Sequence, residues 1–338
     1  MTKRQQILKP ATATKLVATA LSFMASTALV APSASAEENL WIYATGTDTR
    51  PQGSFEVKLE TIYRVGKKGG SYRFADIRPS IEYGITDKLT VGFELALFHH
   101  NYSVTDPDLL PFFDTQGGEG GSFNNFSIGG YDFELKYNVL SPYKDAFGFS
   151  FGVEYDHRDR YRLDGAAINQ DSVEIALFFQ KNFLDDTLVF VFNPKIELEN
   201  RRSGEGVDFV LEEEIALDIA AGVSYRIAPK WFIGLEYRHQ SDYLVPRVID
   251  PITGGLVFDE PNLKPSDIDI LFPSIGSQFQ SGNYFGPTVH YAEEKWWATA
   301  GILFQFSGGG REGSFNVGNR NFDEQEKVHI GLSFGYNF

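Results

Sequence analysis

Apolar side chains recur at every second position along most of this chain. In the stretch "SFEVKLETIYRV", residues 54–65, apolar and aromatic residues alternate with charged ones. This period of two predicts β-strands, because successive side chains of a strand point to opposite faces. About twelve segments show it, and most are long enough to cross a bilayer at a tilt. They are residues 54–65, 74–84, 88–99, 126–140, 147–158, 171–182, 187–201, 207–227, 231–241, 284–292, 296–306 and 327–338.

The connections between these segments alternate in length. The short ones are residues 84–88, 141–146, 182–187, 227–230 and 292–295. The connections between them are longer and polar at 101–126, 159–170, 241–283 and 307–326, and short at 66–71 and 202–206. Short periplasmic turns and longer outer loops are typical of outer-membrane barrels. A soluble β-sandwich is disfavoured, because its strands are usually about 5–6 residues long.

The sequence therefore predicts an all-β fold, a transmembrane antiparallel up-and-down β-barrel of about 12 strands. The barrel is expected to comprise residues 53–338, with large outer loops at 101–126 and 241–283. Because a strand in lipid must have all its backbone hydrogen bonds made, the sheet is expected to close on itself.

The last segment, "VHIGLSFGYNF" (328–338), ends the chain on an apolar face. Phe334, Tyr336 and Phe338 alternate with small or polar residues, and no turn follows them. In this strand the chain resembles Gram-negative outer-membrane β-barrels, whose last strand typically ends in Phe and is recognised by the barrel-assembly machinery. The resemblance implies that Phe334, Tyr336 and Phe338 are an assembly signal. It also implies that the partners of the protein are outer-membrane lipid and that machinery.

Two internal stretches extend the resemblance. "IEYGITDKLTVGFEL" and "FGPTVHYAEEKWWATAGILF" resemble a poorly characterised group of proteobacterial outer-membrane barrels. This group is loosely similar to the MetA-type barrels named after a phenol-degradation pathway. The likeness implies a location in the outer membrane and does not name a solute.

Residues 1–36 have the pattern of a secretory signal peptide. A basic start precedes an uncharged apolar run at 16–32, and "ASA" stands before an acidic pair. This three-part pattern predicts export and cleavage between Ala36 and Glu37. The chain has no Cys, which excludes a lipoprotein anchor and a disulfide framework. Residues 37–52 are then expected to form a periplasmic N-terminal segment.

The charge of the exported part is strongly negative. The chain contains 30 Lys and Arg and 45 Asp and Glu, and four of the basic residues lie in the signal peptide, so residues 37–338 carry a net charge of −19. This excludes nucleic acid as a partner, because phosphate backbones attract basic surfaces. Most charged residues of the strands alternate with the aromatic ones, which predicts a charged lumen. The lumen-lining residues predicted in this way include Glu56, Lys58, Glu60, Asp76, Arg78, Glu134, Glu197, Glu212, Glu214, Asp218, Glu236 and Arg238.

The sequence contains little that indicates catalysis. It has no phosphate-binding loop, dinucleotide fingerprint or metal-ligand spacing, so no cofactor and no metal is expected. His239 and Ser241 are two residues apart and would share the lipid-facing side of a strand, where some outer-membrane lipid hydrolases carry a His-x-Ser pair. Nucleophilic catalysis needs a third group to orient the histidine. Among neighbouring residues only Glu213 offers one, and the alternative is a histidine at the barrel rim without a catalytic role.

Three functions fit these observations. The first is a channel or facilitator for passive uptake of an unidentified small solute, with a surplus of lumen acids that favours cations. The second is a lipid hydrolase that uses His239 and Ser241, and the third is a structural barrel with a blocked lumen. The loop 241–283 is rich in apolar residues and would need cover. We therefore expect it to pack with "LLPFF" (109–113) over the outer mouth and to gate it.

Overall fold

The computed structural model describes residues 39–103, 122–203, 210–245, 248–249, 256–257, 277–310, 318–322 and 324–338. The signal peptide 1–36, with its cleavage site after Ala36, lies outside the described residues. So do Glu37, the apolar run 109–113 and most of the stretch 246–276. The expected gate over the outer mouth therefore falls on a part of the chain that the structure does not describe.

Twelve antiparallel strands form one closed barrel in which neighbours in sequence are neighbours in space. The barrel strands are β1 (Phe55–Val65), β2 (Ser71–Thr86), β3 (Leu89–Ser103), β4 (Ser122–Leu140), β5 (Gly148–Arg160), β6 (Ala167–Phe183), β7 (Leu188–Ser203), β8 (Val210–Ala228), β9 (Trp231–Val245), β12 (Ser277–Ala292), β13 (Trp296–Gly310) and β14 (Val328–Asn337). Between β9 and β12 lies a separate pair of short strands, β10 (Val248–Ile249) and β11 (Leu256–Val257). The predicted fold class and strand number are confirmed. Within the described ranges, no helix has the length and hydropathy needed to cross a membrane.

The barrel closes where the first strand meets the last. Val57 of β1 lies opposite Tyr336 of β14, and the amide of Phe338 donates to the carbonyl of Phe55 at 2.9 Å. The C-terminal strand therefore needs no turn after it, because its free edge is paired with β1. Its side chains Leu332 and Phe334 point outward and are 49% and 45% exposed, as lipid-facing residues are.

The N-terminal segment lies inside the barrel. The sequence predicted a periplasmic position for residues 37–52, and for the described residues 39–52 the structure differs. Trp41 is only 2% exposed and packs with Leu40 against Val191 and Phe232 on the lumen face of the barrel. The physical reason is local composition: "LWIYA" (40–44) is apolar, and this part of the lumen wall is apolar as well, so the two bury each other. We call residues 39–53 the plug.

Candidate functional site

The plug is anchored by one carboxylate in the middle of β9. Both oxygens of Glu236 are used: Oε2 accepts the amide of Ile42 at 3.0 Å, and Oε1 accepts those of Tyr43 and Ala44 at 2.7 and 2.6 Å. Glu236 is completely buried. A carboxylate that accepts several backbone N–H groups forms strong, charge-assisted hydrogen bonds. This glutamate was predicted to line an aqueous lumen, and it binds the plug backbone instead.

Side-chain amides continue this anchoring along the plug. The amide of Thr45 donates to Asn193 Oδ1 at 2.7 Å, and that of Thr47 donates to Gln180 Oε1 at 2.9 Å. The buried Arg50 donates through Nε to Glu82 at 3.0 Å and pairs with Glu56. The plug is thus bound through its backbone to the lumen wall at the periplasmic end of the barrel.

Two lumen-facing glycines make room for the largest plug side chains. A Cβ at Gly222 of β8 would stand 2.4 Å from Trp41 Cε2, and one at Gly331 of β14 would stand 2.4 Å from Ile42 Cγ2. Such distances are below any normal contact, so a larger residue at either position would push the plug away. The small residues on the inner face of the last strand therefore match the plug.

Two connections fill the lumen from the opposite end. Leu163, between β5 and β6, is buried, and its carbonyl accepts the hydroxyl of Tyr72 at 2.8 Å. Residues 321–322 and 324–327 before β14 also turn inward, because the carbonyl of Glu326 accepts the hydroxyl of Tyr284 at 2.8 Å. Polar and aromatic side chains of the wall hold both connections in the barrel.

A polar cavity of about 270 Å³ remains above the plug. Ten acidic and eight basic residues line it, so it keeps a small acidic excess. The predicted lumen residues found around it are Glu56, Lys58, Glu60, Asp76, Arg78, Glu134, Glu197, Asp218 and Arg238. Glu214 lines a second cavity of about 80 Å³ nearer the outer end. The side chain of Glu212 lies outside the described residues.

The charges around the cavity are arranged unevenly. Arg78 contacts three carboxylates, those of Asp76, Glu94 and Asp132, at 2.6 to 2.9 Å. In contrast, the register places four glutamates directly opposite one another across β4 to β7. These are Glu134, Glu154, Glu174 and Glu197. Like charges that face each other across strands repel, so this row of glutamates is a local concentration of negative charge in the wall.

The outer wall carries a second polar cluster, and it includes the predicted His-x-Ser pair. His239 Nε2 lies 3.1 Å from Ser241 Oγ. On the adjacent strand, Asn283 is directly opposite His239, and its Oδ1 lies 3.0 Å from His239 Nδ1. Tyr237 also donates its hydroxyl to that oxygen at 2.7 Å.

The third group of this cluster was missed in the sequence. Glu213 was the expected partner, but it lies opposite Val245, six register positions from the pair formed by His239 and Ile219. Asn283 was not considered because the strand was predicted to begin at 284, whereas β12 begins at Ser277. Among the described residues, no group of three or more His, Asp or Glu side chains is placed to hold a metal ion.

A protein-family model matches residues 33–338 and is described as a family of unknown function (DUF6662). The chain belongs to this family. No curated protein sequence matches the chain. Among solved structures, an outer membrane channel from Pseudomonas putida F1, of the group COG4313, aligns with a TM-score of 0.53 at 9% identity. It covers 86% of this chain and 98% of that one.

A second solved structure belongs to the translocator domain of the autotransporter NalP from Neisseria meningitidis. It aligns with a TM-score of 0.45 and 10% identity, over 86% of this chain and 91% of that one. At these identities the likeness concerns the fold. This DUF6662 member thus has the fold of an outer-membrane β-barrel, as the sequence predicted.

Proposed function

We propose that the protein is an outer-membrane channel for the passive movement of a small solute, and that the plug closes it at the periplasmic end. The supporting observation is the polar cavity of about 270 Å³ inside the barrel, whose floor is the plug. Hydrogen bonds and packing hold the plug, so it can leave without breaking a covalent bond. The Pseudomonas putida barrel of similar fold is described as an outer membrane channel, which agrees with the proposal.

The solute that fits this lumen best is small and neutral or cationic. The row of glutamates at 134, 154, 174 and 197 repels anions, although Glu174 pairs with Lys195 and Glu197 pairs with Arg158. Rings of acidic side chains select for cations in other channels. The preference is expected to be mild, because basic residues such as Arg78 and Arg238 share the same cavity.

Recordings in planar bilayers test the channel. Gly222→Val should displace Trp41 and raise the conductance above that of the wild type. Val223→Leu is the matched control, because Val223 is the next residue of β8 and belongs to the outward side of the wall. If Gly222→Val folds, inserts and conducts no better than the control, the channel proposal is wrong and a structural barrel is favoured.

Export and assembly are part of the same proposal. The signal peptide is cleaved between Ala36 and Glu37, and the assembly machinery recognises Phe334, Tyr336 and Phe338. The outward, lipid-facing position of Phe334 leaves it accessible during insertion. Sequencing the N-terminus of the protein from outer membranes tests the cleavage, and a start at any other residue contradicts it. Deleting Phe338 should reduce the amount of heat-modifiable barrel, and an unchanged amount would remove its role in assembly.

A further inference from the structure

The outer wall of the barrel holds a group of side chains that the channel does not use. We propose that Ser241, His239 and Asn283 form a nucleophilic site that hydrolyses acyl esters of lipids in the outer leaflet. This activity is independent of the lumen, because all three residues alternate along β9 and β12 with residues that face the interior of the barrel. Arg238 and Gln240 line the cavity, and Tyr284 packs against Ile42 of the plug.

The hydrogen bonds give each group a defined chemical role. Asn283 presents its side-chain oxygen to two groups, because Oδ1 accepts the hydroxyl of Tyr237 and also lies beside His239 Nδ1. An oxygen at 3.0 Å from His239 Nδ1 requires the proton on that nitrogen. The lone pair of Nε2 is then directed at Ser241 Oγ, 3.1 Å away, so Nε2 can act as a general base. Asn283 and Tyr237 are positioning residues in this arrangement.

The height of the site in the wall matches the esters of a lipid. Odd-numbered strands from β1 to β9 run outward from the short-turn end, so Trp231 marks the periplasmic side of β9. Ser241 is ten residues further along, which at about 3.3 Å per residue and a tilt of about 40° is a rise of about 25 Å. The apolar band of such barrels is also about 25 Å tall. The serine therefore stands at the outer boundary of the acyl chains, where ester carbonyls lie.

A neighbouring residue is placed to stabilise the reaction. Ser281 is directly opposite Ser241 on β12, so their Cβ atoms are about 5 Å apart. Its Oγ accepts the amide of Gly309 at 3.1 Å, and its hydroxyl proton is left to donate elsewhere. Both serines are buried, so a substrate carbonyl that reaches Ser241 also comes close to Ser281. Its developing oxyanion can then accept the hydroxyl proton of Ser281.

The chemical steps balance without any further reactant except water. Ser241 Oγ attacks the acyl carbonyl carbon while its proton moves to His239 Nε2. The tetrahedral intermediate collapses, the bond between the carbonyl carbon and the alcohol oxygen breaks, and His239 returns the proton to the leaving alcohol. Water then attacks the acyl-serine with His239 again as base, which releases the fatty acid and restores Ser241. Because Ser241 is fully buried, an acyl chain can reach it only after a local opening of the structure.

A related cluster four strands away provides a natural control. The sequence "EYDHRD" (154–159) on β5 repeats the pattern of "EYRHQS" (236–241) on β9. His157 Nδ1 lies 2.9 Å from Asp171 Oδ1, and Tyr155 donates to the same oxygen at 2.6 Å. Asp159 stands where β9 has its serine, and its carboxylate lies 3.5 Å from His157 Nε2. A hydrogen-bond network that only strengthens the wall needs no nucleophile. The β5 cluster has Asp159 in place of the serine, so it is the control for a purely structural network.

The test uses the full mature protein, refolded in detergent and checked for heat-modifiable mobility on a gel. Phosphatidylethanolamine vesicles with labelled acyl chains form one arm, and purified lipopolysaccharide forms the other. We expect release of labelled or free fatty acid in at least one arm, and the arm identifies the source of the ester. A fluorophosphonate probe should label the wild type at Ser241. Release from neither arm together with an unlabelled serine overturns the proposal.

The variants assign the roles. Ser241→Ala should lower the rate by about 10³-fold or more, because the acyl-enzyme cannot form. Asn283→Ala should lower it by about 10²-fold, and Asn283→Asp should restore most of it, since a carboxylate also orients the imidazole. Ser281→Ala should cost about 10²-fold in kcat. His157→Ala should leave the rate unchanged. Equal rates in Ser241→Ala and the wild type would show that the cluster is structural. The conductance of Ser241→Ala is measured as well, so that a failure of the hydrolase proposal can be distinguished from a failure of the channel proposal.

Discussion

At the scale of single residues, the closed state of the barrel depends most on Glu236. Its two oxygens bind three consecutive amides of the plug, all in a buried place. Glu236→Ala leaves three buried N–H groups without an acceptor, at about 1–3 kcal/mol for each unsatisfied group. We therefore expect the plug to leave the lumen in this variant, while the twelve-stranded wall stays closed.

A single cysteine can report this release, because the chain has no Cys of its own. Ala44→Cys places a thiol at a plug position that is 2% exposed, so it should react slowly with a water-soluble maleimide. The same thiol in the background Glu236→Ala should react at least about tenfold faster, which corresponds to about 1.4 kcal/mol in the opening equilibrium. Equal rates in the two backgrounds would mean that packing alone, and not Glu236, holds the plug.

The residue scale also shows where sequence patterns stop being informative. Alternation indicates on which face Glu82 and Glu236 lie, but it treats them alike, although Glu82 pairs with Arg50 and Glu236 binds a backbone. Which partner a lumen residue meets depends on the register across the barrel and on the plug. Asn283 was missed for a similar reason. It lies in "SQFQSGN", whose small and polar residues are typical of a loop, although β12 includes them.

At the scale of elements, strand number and direction were predictable, and strand length at the outer end was not. The sequence placed the end of the ninth segment at 241, and β9 continues to Val245. Lipid imposes the apolar alternation only across the hydrocarbon, so strands that extend beyond it lose the pattern. The plug was not predicted as an element, because a short apolar run that precedes a barrel can lie inside the lumen or outside the barrel.

Residues 324–327 before β14 are held inside the barrel by charge, and their attachment should depend on pH. Glu326 lies 3.1 Å from Lys67 of the connection between β1 and β2. Burial raises the pKa of Glu326, but the Lys67 ammonium, a hydrogen bond from His329 and the charge of Arg64 outweigh it and hold this pKa well below its usual range. A depressed folded pKa means that the stabilisation is complete above the unfolded value of about 4.3 and is lost as pH falls below it.

Urea unfolding of the refolded barrel checks this pH dependence. The wild type should be more stable than Glu326→Gln at neutral pH, and the difference should remain constant down to about pH 5. Below about pH 4 the difference should shrink, because Glu326 is then increasingly protonated in the unfolded chain while it is still ionised in the folded one. A difference that stays the same at pH 3 would show that Glu326 contributes through packing and not through its charge.

At the scale of the whole molecule, the barrel is a closed wall with a filled interior. The plug occupies the periplasmic end, two inward-turning connections occupy the other, and a charged cavity lies between them. The alternation of the strands predicted the wall and its charged inner face. It could not predict the filling, because the filling depends on segments without a period, such as residues 39–53 and 324–327.

The row of glutamates across β4 to β7 should set the ion preference of the opened barrel. Glu154 is its best test, because its neighbours on both sides in the register, Glu134 and Glu174, are also acidic. In the background Gly222→Val, the reversal potential in a salt gradient should indicate cation preference. Adding Glu154→Gln should reduce that preference, and Glu293→Gln, at an exposed turn outside the lumen, should not.

The preference should also fall between 0.1 M and 1 M salt, as the screening length shortens from about 10 Å to about 3 Å. An unchanged reversal potential in Glu154→Gln would mean that ions do not pass this row.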